Sequence, residues 1–181
     1  DEDSNKTQMY KENLARIKHK NETKSLDNFL ETLETKMFLK INDISSIDRI
    51  SQMTKKTNQF NLTAKIYTEN TIGRIIAEKD YTIITARVID KFGDNGITIL
   101  AIIKIDNLSK TAIIENLLMS CRVIGRKLEY EFFNQIISIL KQLDIKNVKA
   151  AYVPTEKNIQ VKDFYNNFTP IVNNDNKDCT R

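Results

Sequence analysis

The feature that most constrains how this chain can fold is a change of period near its middle. From Tyr81 the apolar positions recur every second residue: Ile84, Ala86 and Val88 alternate with Thr85 and Arg87, the pattern of a strand with one buried face. Phe92-Gly93-Asp94-Asn95-Gly96 follows. Asn-Gly between two apolar runs predicts a hairpin turn, because both residues tolerate positive φ. Ile97 to Ile105 is the next strand, Asp106-Asn107-Leu108-Ser109 turns the chain again, and Ala112 to Met119 is a third strand. The period then becomes 3.6. Leu128, Phe132, Phe133, Ile136, Ile137, Leu140 and Leu143 share one face of a long helix. Val148 to Val153 reads as a buried strand ending at Pro154, residues 158–167 as a shorter helix, and Pro170-Ile171-Val172 as the start of a last strand.

Ahead of this β-β-β-α-β-α-β series the chain reads as helical. Residues 1–23 are polar with a weak stripe of Met9, Tyr10, Leu14 and Ile17, which predicts a weakly packed helix or a linker left from a preceding domain. Leu26, Phe29, Leu30, Leu33 and Met37 give a cleaner amphipathic helix that Ser25 or Asp27 can cap. Lys36 to Ile41 is a short strand, and Ser45-Ser46 caps a helix carrying Ile47, Ile50 and Met53. The expected organisation is an appendage over 1–23, one α/β (α+β) domain over 24–175 and a frayed tail over 176–181.

Composition removes several kinds of chemistry. With His19 as the only histidine and Cys121 and Cys179 as the only cysteines, mechanisms that need a His base or several His ligands are nearly excluded, Ser-His-Asp hydrolases and most zinc hydrolases among them, and no metal is expected. No apolar run approaches the ~20 residues of a membrane span, and the N-terminus carries no secretory pattern. The chain is read as cytoplasmic, without membrane contact. A net charge of +4 mildly favours anionic partners. A basic stripe with interleaved aromatics is missing, so nucleic acid is not expected as a partner.

Chemistry concentrates between the third strand and the long helix, in Ser120-Cys121-Arg122-Val123-Ile124-Gly125-Arg126-Lys127. A short loop entering a helix presents unpaired amides and the positive end of the helix dipole. Two arginines and a lysine with no acid between Asn116 and Glu129 suit it to an anion such as phosphate. A tight turn with solvated basic residues fits the same letters equally well.

Arg122-Val123-Ile124-Gly125 resembles the start of the pyrophosphate loop of the GNAT superfamily of acetyltransferases, Arg/Gln-x-x-Gly-x-Gly/Ala, and the order of elements resembles that fold's core. A wider resemblance covers nearly the whole chain. Lys56-Thr57-Asn58-Gln59-Phe60-Asn61-Leu62-Thr63, Phe92-Gly93-Asp94-Asn95-Gly96, Met119-Ser120-Cys121-Arg122-Val123-Ile124-Gly125-Arg126 and Pro154-Thr155-Glu156-Lys157-Asn158 are similar to the C-terminal half of FkbH-like proteins. That methoxymalonate-biosynthesis family joins a haloacid-dehalogenase-type phosphatase domain to a GNAT-like acyltransferase domain. The resemblance implies a GNAT-like fold: an antiparallel meander, then β-α-β-α-β with two splayed parallel strands. It also implies transfer of a small, glyceryl-like acyl group to the phosphopantetheine thiol of an acyl carrier protein. The implied partners are that carrier and the phosphatase domain of the parent chain. Asp1-Glu2-Asp3 lacks the apolar strand that a phosphatase Asp-x-Asp motif needs, so the chain resembles the acyltransferase half alone.

The resemblance also implies roles. The thioester of coenzyme A or of a carrier's pantetheine arm would lie between Ala112–Met119 and Val148–Val153. Met119, Cys121, Arg122, Val123, Gly125, Arg126, Lys127 and Asn158 would hold it. Lys127 departs from the superfamily's Gly/Ala, and Tyr165-Asn166-Asn167-Phe168 lacks the Gly expected before Phe, so the pantetheine arm is the ligand better implied. Glu115, on a strand among apolar neighbours, suits a general base, or an outward residue paired with a lysine. Tyr165 suits protonation of the leaving thiolate, or packing. Cys121, beside Arg122 and a helix start, suits transient acylation. Thr57, Asn58, Gln59, Asn61 and Thr63 suit the wall of a pocket for a hydroxylated acyl group. Asn158 suits the pantetheine or a helix cap. Two rival readings stand beside this one: an acyl-coenzyme A-dependent N-acyltransferase acting on an amine such as an amino sugar, and a silent module that docks a carrier protein for the phosphatase domain.

Overall fold

The computed structural model describes residues 2–168, with side chains described from Thr7 onward. The expected strand at Pro170–Val172, the tail over 176–181 and Cys179 lie outside the described residues. The elements run α1 (Glu2–Glu22), α2 (Leu26–Thr32), β1 (Lys36–Ile41), α3 (Ile47–Lys56), β2 (Phe60–Asn61), α4 (Glu69–Ala77), β3 (Tyr81–Asp90), β4 (Gly93–Asp106), β5 (Thr111–Met119), α5 (Leu128–Gln142) and β6 (Asn147–Ala150). One sheet has the order β1-β3-β4-β5. On the far edge of β5 lie two short strands, β6 parallel beside Thr111–Ile114 and β2 antiparallel beside Leu118–Met119.

Alternation along the strands builds a core on each face. Ile84, Ala86, Val88, Ile99, Ala101 and Ile103 pack with Phe132, Phe133, Ile136 and Leu140 of α5. Ile83, Leu100, Ile102 and Leu118 pack with Ile50 and Met53 of α3 and Ile72 and Ile75 of α4. Helix α4, not anticipated from the sequence, starts at Thr68, whose side chain accepts the Thr71 amide. Ser25 caps α2 in the same way, through Asn28 N–H at 3.2 Å.

Parity along β5 exposes a bulge. Ala112 and Ile114 face α5, and so do Leu117 and Met119, which unbroken alternation forbids. The register moves from Ile103↔Ile114 to Ile102↔Asn116, leaving Glu115 without a partner on β4.

Several sequence expectations are displaced. Asn95-Gly96 is not the tip of the β3–β4 hairpin, because the chain reverses at Lys91-Phe92 and Asp90 pairs with Gly93. The Asp90 carboxylate accepts Phe92 N–H at 2.9 Å and Asn95 Nδ2 at 3.1 Å, which fixes the tight turn earlier. Gly96, at φ +67°, serves an irregularity within β4 instead. Ser46 makes no capping bond to α3; Asp43 instead accepts from Ser45 N–H and from both serine hydroxyls, closing a 3₁₀ turn that leads into the helix. The strand expected over 148–153 stops at Ala150, and the helix expected over 158–167 is two 3₁₀ turns, Ile159–Val161 and Phe164–Asn167. Asn158 gives no side-chain cap there, so nothing offsets the cost of nucleating a longer helix.

Helix α1 is docked rather than loosely attached. Arg16, 6% exposed, makes two bonds to Asp90, from Nε at 2.7 Å and from Nη2 at 3.0 Å. Arg126 reaches the same carboxylate at 2.8 Å. His19 lies against Phe29 and Phe92. Gly93, at φ +150°, leaves room for the Glu12 carboxylate that a Cβ would strike. Burial pushes the Asp90 pKa upward, but bonds from Arg16, Asn95 and the Phe92 amide outweigh it and hold the carboxyl below its ordinary value.

A carboxyl depressed in the folded state stabilises above its unfolded pKa of ~3.9 and loses that contribution as pH falls through the folded value. Urea titration of Asp90→Asn is expected to show a loss of about 3–5 kcal/mol at neutral pH, since two buried guanidiniums lose their counter-charge. The loss should shrink as the pH is lowered below about 4.

Candidate functional site

The pairing of β2 with β5 decides what meets what. Because Phe60 lies opposite Met119 and Asn61 opposite Leu118, the residues just before β2 and just after β5 must converge. They do so at a cleft of about 560 Å³. One side is the end of α3 with Thr57, Asn58 and Gln59, and the other is Ser120, Cys121 and Arg122. Cys121 is an exposed free thiol at the start of a 3₁₀ turn, Cys121–Val123. Arg49, Gln52 and Lys56 of α3 also line the cleft. Sequence reading missed these three, although their spacing of 3 and 4 along a helix places them on one face.

Asn61 and Thr63 do not line the cleft. They belong to a strap, residues 60–63, laid along the far edge of β5. Beyond Ile114, β6 no longer pairs with β5, and the strap takes its place: Leu62 N–H donates to Leu117 O at 3.0 Å, and Thr63 Oγ1 donates to Glu115 O at 2.9 Å. Its other side is held by the chain after β6, where Val153 N–H donates to Leu62 O at 2.8 Å. Asn158, fully buried, clamps the whole. Its Nδ2 donates to Asn61 O at 2.8 Å and Val153 O at 3.0 Å, and its Oδ1 accepts from Thr155 N–H at 2.7 Å and Tyr152 Oη at 3.1 Å.

The fold is similar to that of proteins of known structure. A ribosomal-protein-alanine N-acetyltransferase from Brucella melitensis biovar Abortus 2308 matches 81% of this chain and 99% of its own, at 6% identity and TM-score 0.61. The fold is GNAT-like. Glucosamine-6-phosphate N-acetyltransferase from Arabidopsis thaliana matches 73% of this chain and 89% of its own, at 16% identity and TM-score 0.52. The ribosomal-protein-S18-alanine N-acetyltransferase of Escherichia coli matches 62% of this chain and 64% of its own, just under two thirds, at 10% identity and TM-score 0.49. No protein-family model matches the sequence, and no curated protein sequence matches it.

Within the GNAT-like fold, the loop expected to cradle a pyrophosphate has other engagements. Arg126 is bound to Asp90 and donates to Arg122 O at 2.9 Å. Lys127 adopts the left-handed region at φ 60°, where Gly is favoured, and pairs with Asp27 at 2.8 Å. Gly125, at φ +80°, has open space around it. Val123 is buried in the core beneath the loop, with Met119. Burial raises the Glu129 pKa, and its carboxylate bonds its own backbone amide in the first turn of α5. These residues, with the strap on the β5 edge, do not fit a coenzyme A laid along β5 in the arrangement the resemblance implies.

The three expected catalytic side chains are not assembled. Neither Glu115 nor Tyr165 lines the cleft that holds Cys121. Glu115 instead accepts from Tyr67 Oη at 3.3 Å and Tyr81 Oη at 3.2 Å and pairs with Lys65 at 3.6 Å. Both phenols are pushed up from the ordinary tyrosine value, by burial first and by the Glu115 charge second. Tyr165 packs against Phe133 and Phe164. Among the described residues its buried hydroxyl has no hydrogen-bond partner, and burial raises its pKa. Among the described residues no three His, Cys, Asp or Glu side chains gather as a metal site, and no helix is long and apolar enough to cross a membrane.

Asn158→Ala is expected to lower stability by about 2–4 kcal/mol in chemical denaturation, because it strands buried backbone carbonyls on both sides of the strap. A loss below about 0.5 kcal/mol, the usual effect of a neutral surface change, would show that the strap does not depend on the clamp.

Proposed function

We propose that this domain is an acyltransferase that carries a small hydroxylated acyl group as a thioester on Cys121 and passes it to the phosphopantetheine thiol of an acyl carrier protein. The observation that carries the reading is an exposed thiol inside a cleft where guanidinium, ammonium, amide and hydroxyl groups stand beside the apolar Met53 side chain. The polar groups supply hydrogen-bond partners for the oxygens of a small, glyceryl-like acyl chain.

The transfer has two halves. The Cys121 thiolate attacks the acyl carbonyl of an activated donor, a C–S bond forms, and the donor's leaving group departs with the bonding electrons. The carrier thiolate then attacks the new thioester, and the Cys121 thiolate leaves. Each half passes through an oxyanion that cationic and amide donors lining the cleft stabilise. The resemblance to FkbH-like proteins supports the carrier protein as acceptor, a phosphatase domain as companion and a place in making a methoxymalonate-like precursor of a polyketide-type product.

A second reading keeps the acyl transfer but changes the acceptor to an amine, and the acceptors named for the similarly folded Brucella and Arabidopsis enzymes favour it. Mass spectrometry of the domain incubated with a glyceryl thioester and holo carrier protein separates the two. A hydroxylamine-labile adduct is expected on Cys121, and transfer should fall by two orders of magnitude or more in Cys121→Ser, on the scale of losing a nucleophile. Undiminished transfer in that variant would contradict the reading. A hydroxylamine-resistant product would give the amine reading instead, and carrier binding without any transfer would leave a docking module.

A further inference from the structure

The way this protein treats its arginines divides them into two kinds. Arg16 and Arg126 are sunk into the structure, and both are matched by the fully buried carboxylate of Asp90. Arg49 and Arg122 are half-buried as well, yet among the described residues neither makes an ion pair. Arg49 donates through Nε and Nη2 to Ile97 O, at 3.2 and 3.0 Å, and through Nη1 to the Gln52 side chain. Arg122 reaches only Ser120 Oγ at 3.4 Å and Met9 Sδ at 4.0 Å. Asp94, the acid whose field reaches Arg122, is held by Arg87 at 2.9 Å.

Both unmatched guanidiniums line the Cys121 cleft, and Lys56 joins them there. Among the described residues no acidic side chain lines it. Three like charges converging on one concavity repel one another, and desolvating a guanidinium without a counter-charge is costly. Burial first, and then the neighbouring arginine, bears on Arg49 in the same unfavourable sense. Amide side chains of Gln52, Asn58 and Gln59 complete the lining with neutral donors. A small dianion answers every one of these features: it supplies the missing counter-charge and takes several donors at once.

The geometry points to a phosphate-monoester site in this cleft, with Arg49 and Arg122 as its fork and Lys56 at its rim. At about 560 Å³ the space exceeds one phosphate, so the ester carries a body that lies beside Cys121. The terminal phosphate of free phosphopantetheine and that of a phosphorylated hydroxy compound present the same dianion, whereas a carrier-bound arm is a singly charged phosphodiester. The site shares its cleft with the proposed acyl transfer but does not require it.

The test uses the full chain carrying Cys179→Ser, so that Cys121 is the sole thiol, and follows its alkylation by neutral iodoacetamide. Inorganic phosphate is expected to slow the reaction saturably, with chloride at equal ionic strength lacking the effect. Arg122→Gln should weaken the phosphate effect about tenfold or more, as loss of a charge-assisted bond does. Lys56→Gln, at an exposed position in the last turn of α3, should weaken it severalfold. Glycerol phosphate and phosphopantetheine then identify the source, since the true ester protects at lower concentration than inorganic phosphate. Equal alkylation rates in phosphate and chloride, for a protein with an unchanged circular dichroism spectrum, would overturn the site. Protection without any acyl adduct on Cys121 would remove the proposed transfer and leave this site standing; an adduct without protection would do the reverse.

Discussion

Backbone amides and carbonyls on an open strand edge must find partners, and in this domain that need arises at one place. At Glu115 the fifth strand bulges, and beyond Ile114 its parallel neighbour is gone. Buried polar groups left unpaired there would each cost on the order of 1–3 kcal/mol. The chain meets the need with its own residues 60–63, which pair with β5 on one side and with Val153 on the other. Asn158 spends both ends of its amide on holding that strap. An internal strand paired there leaves this edge no open backbone groups for an extended ligand and redirects ligand chemistry elsewhere.

The redirection follows from chain geometry. A strap paired antiparallel with the end of β5 brings its preceding residues to the turn that follows β5. Thr57, Asn58 and Gln59 therefore face Cys121 and Arg122 across a cleft. On the far side of the same turn, Asp90 gathers Arg16 and Arg126 and ties α1 over the sheet's end. The loop before α5 is thereby committed to structure, through Arg126 and Asp90 and through Lys127 and Asp27. On the cleft side, Arg49, Lys56 and Arg122 make no ion pair among the described residues.

Much of this was legible in the residues, and the parts that were not share a cause. The strands from Tyr81 to Met119 and the helix from Leu128 were readable because their periods of 2 and 3.6 are uninterrupted enough to count. The polar run from Thr57 stands out in the sequence, and Thr57, Asn58 and Gln59 do line the cleft with Cys121. What period and propensity cannot carry is long-range pairing. The Asn61 side chain is held locally by Thr57 O and Ala64 N–H, but that its backbone carbonyl accepts from Asn158 depends on a partner 97 positions away. The hairpin tip moved because the Asp90 side chain outbids the backbone preference of Asn95-Gly96. Arg49 was overlooked because its helix face looks like ordinary solvated polarity until the turn after β5 is folded onto it. Glu115 and Tyr165 were picked for their chemical type, and each proved to be engaged elsewhere, one by two phenols and the other by an aromatic cluster.

The account's central claim is that the strap stays in the sheet while ligand chemistry takes place at Cys121. Amide hydrogen exchange at Leu62 and Val153, followed while holo acyl carrier protein or coenzyme A is titrated in, tests it most directly. The account predicts that both amides keep their protection at saturating ligand while the backbone around Cys121 becomes more protected. Loss of protection at Leu62 and Val153 on ligand binding would contradict it, because the ligand would then have displaced the strap and taken the β5 edge for itself.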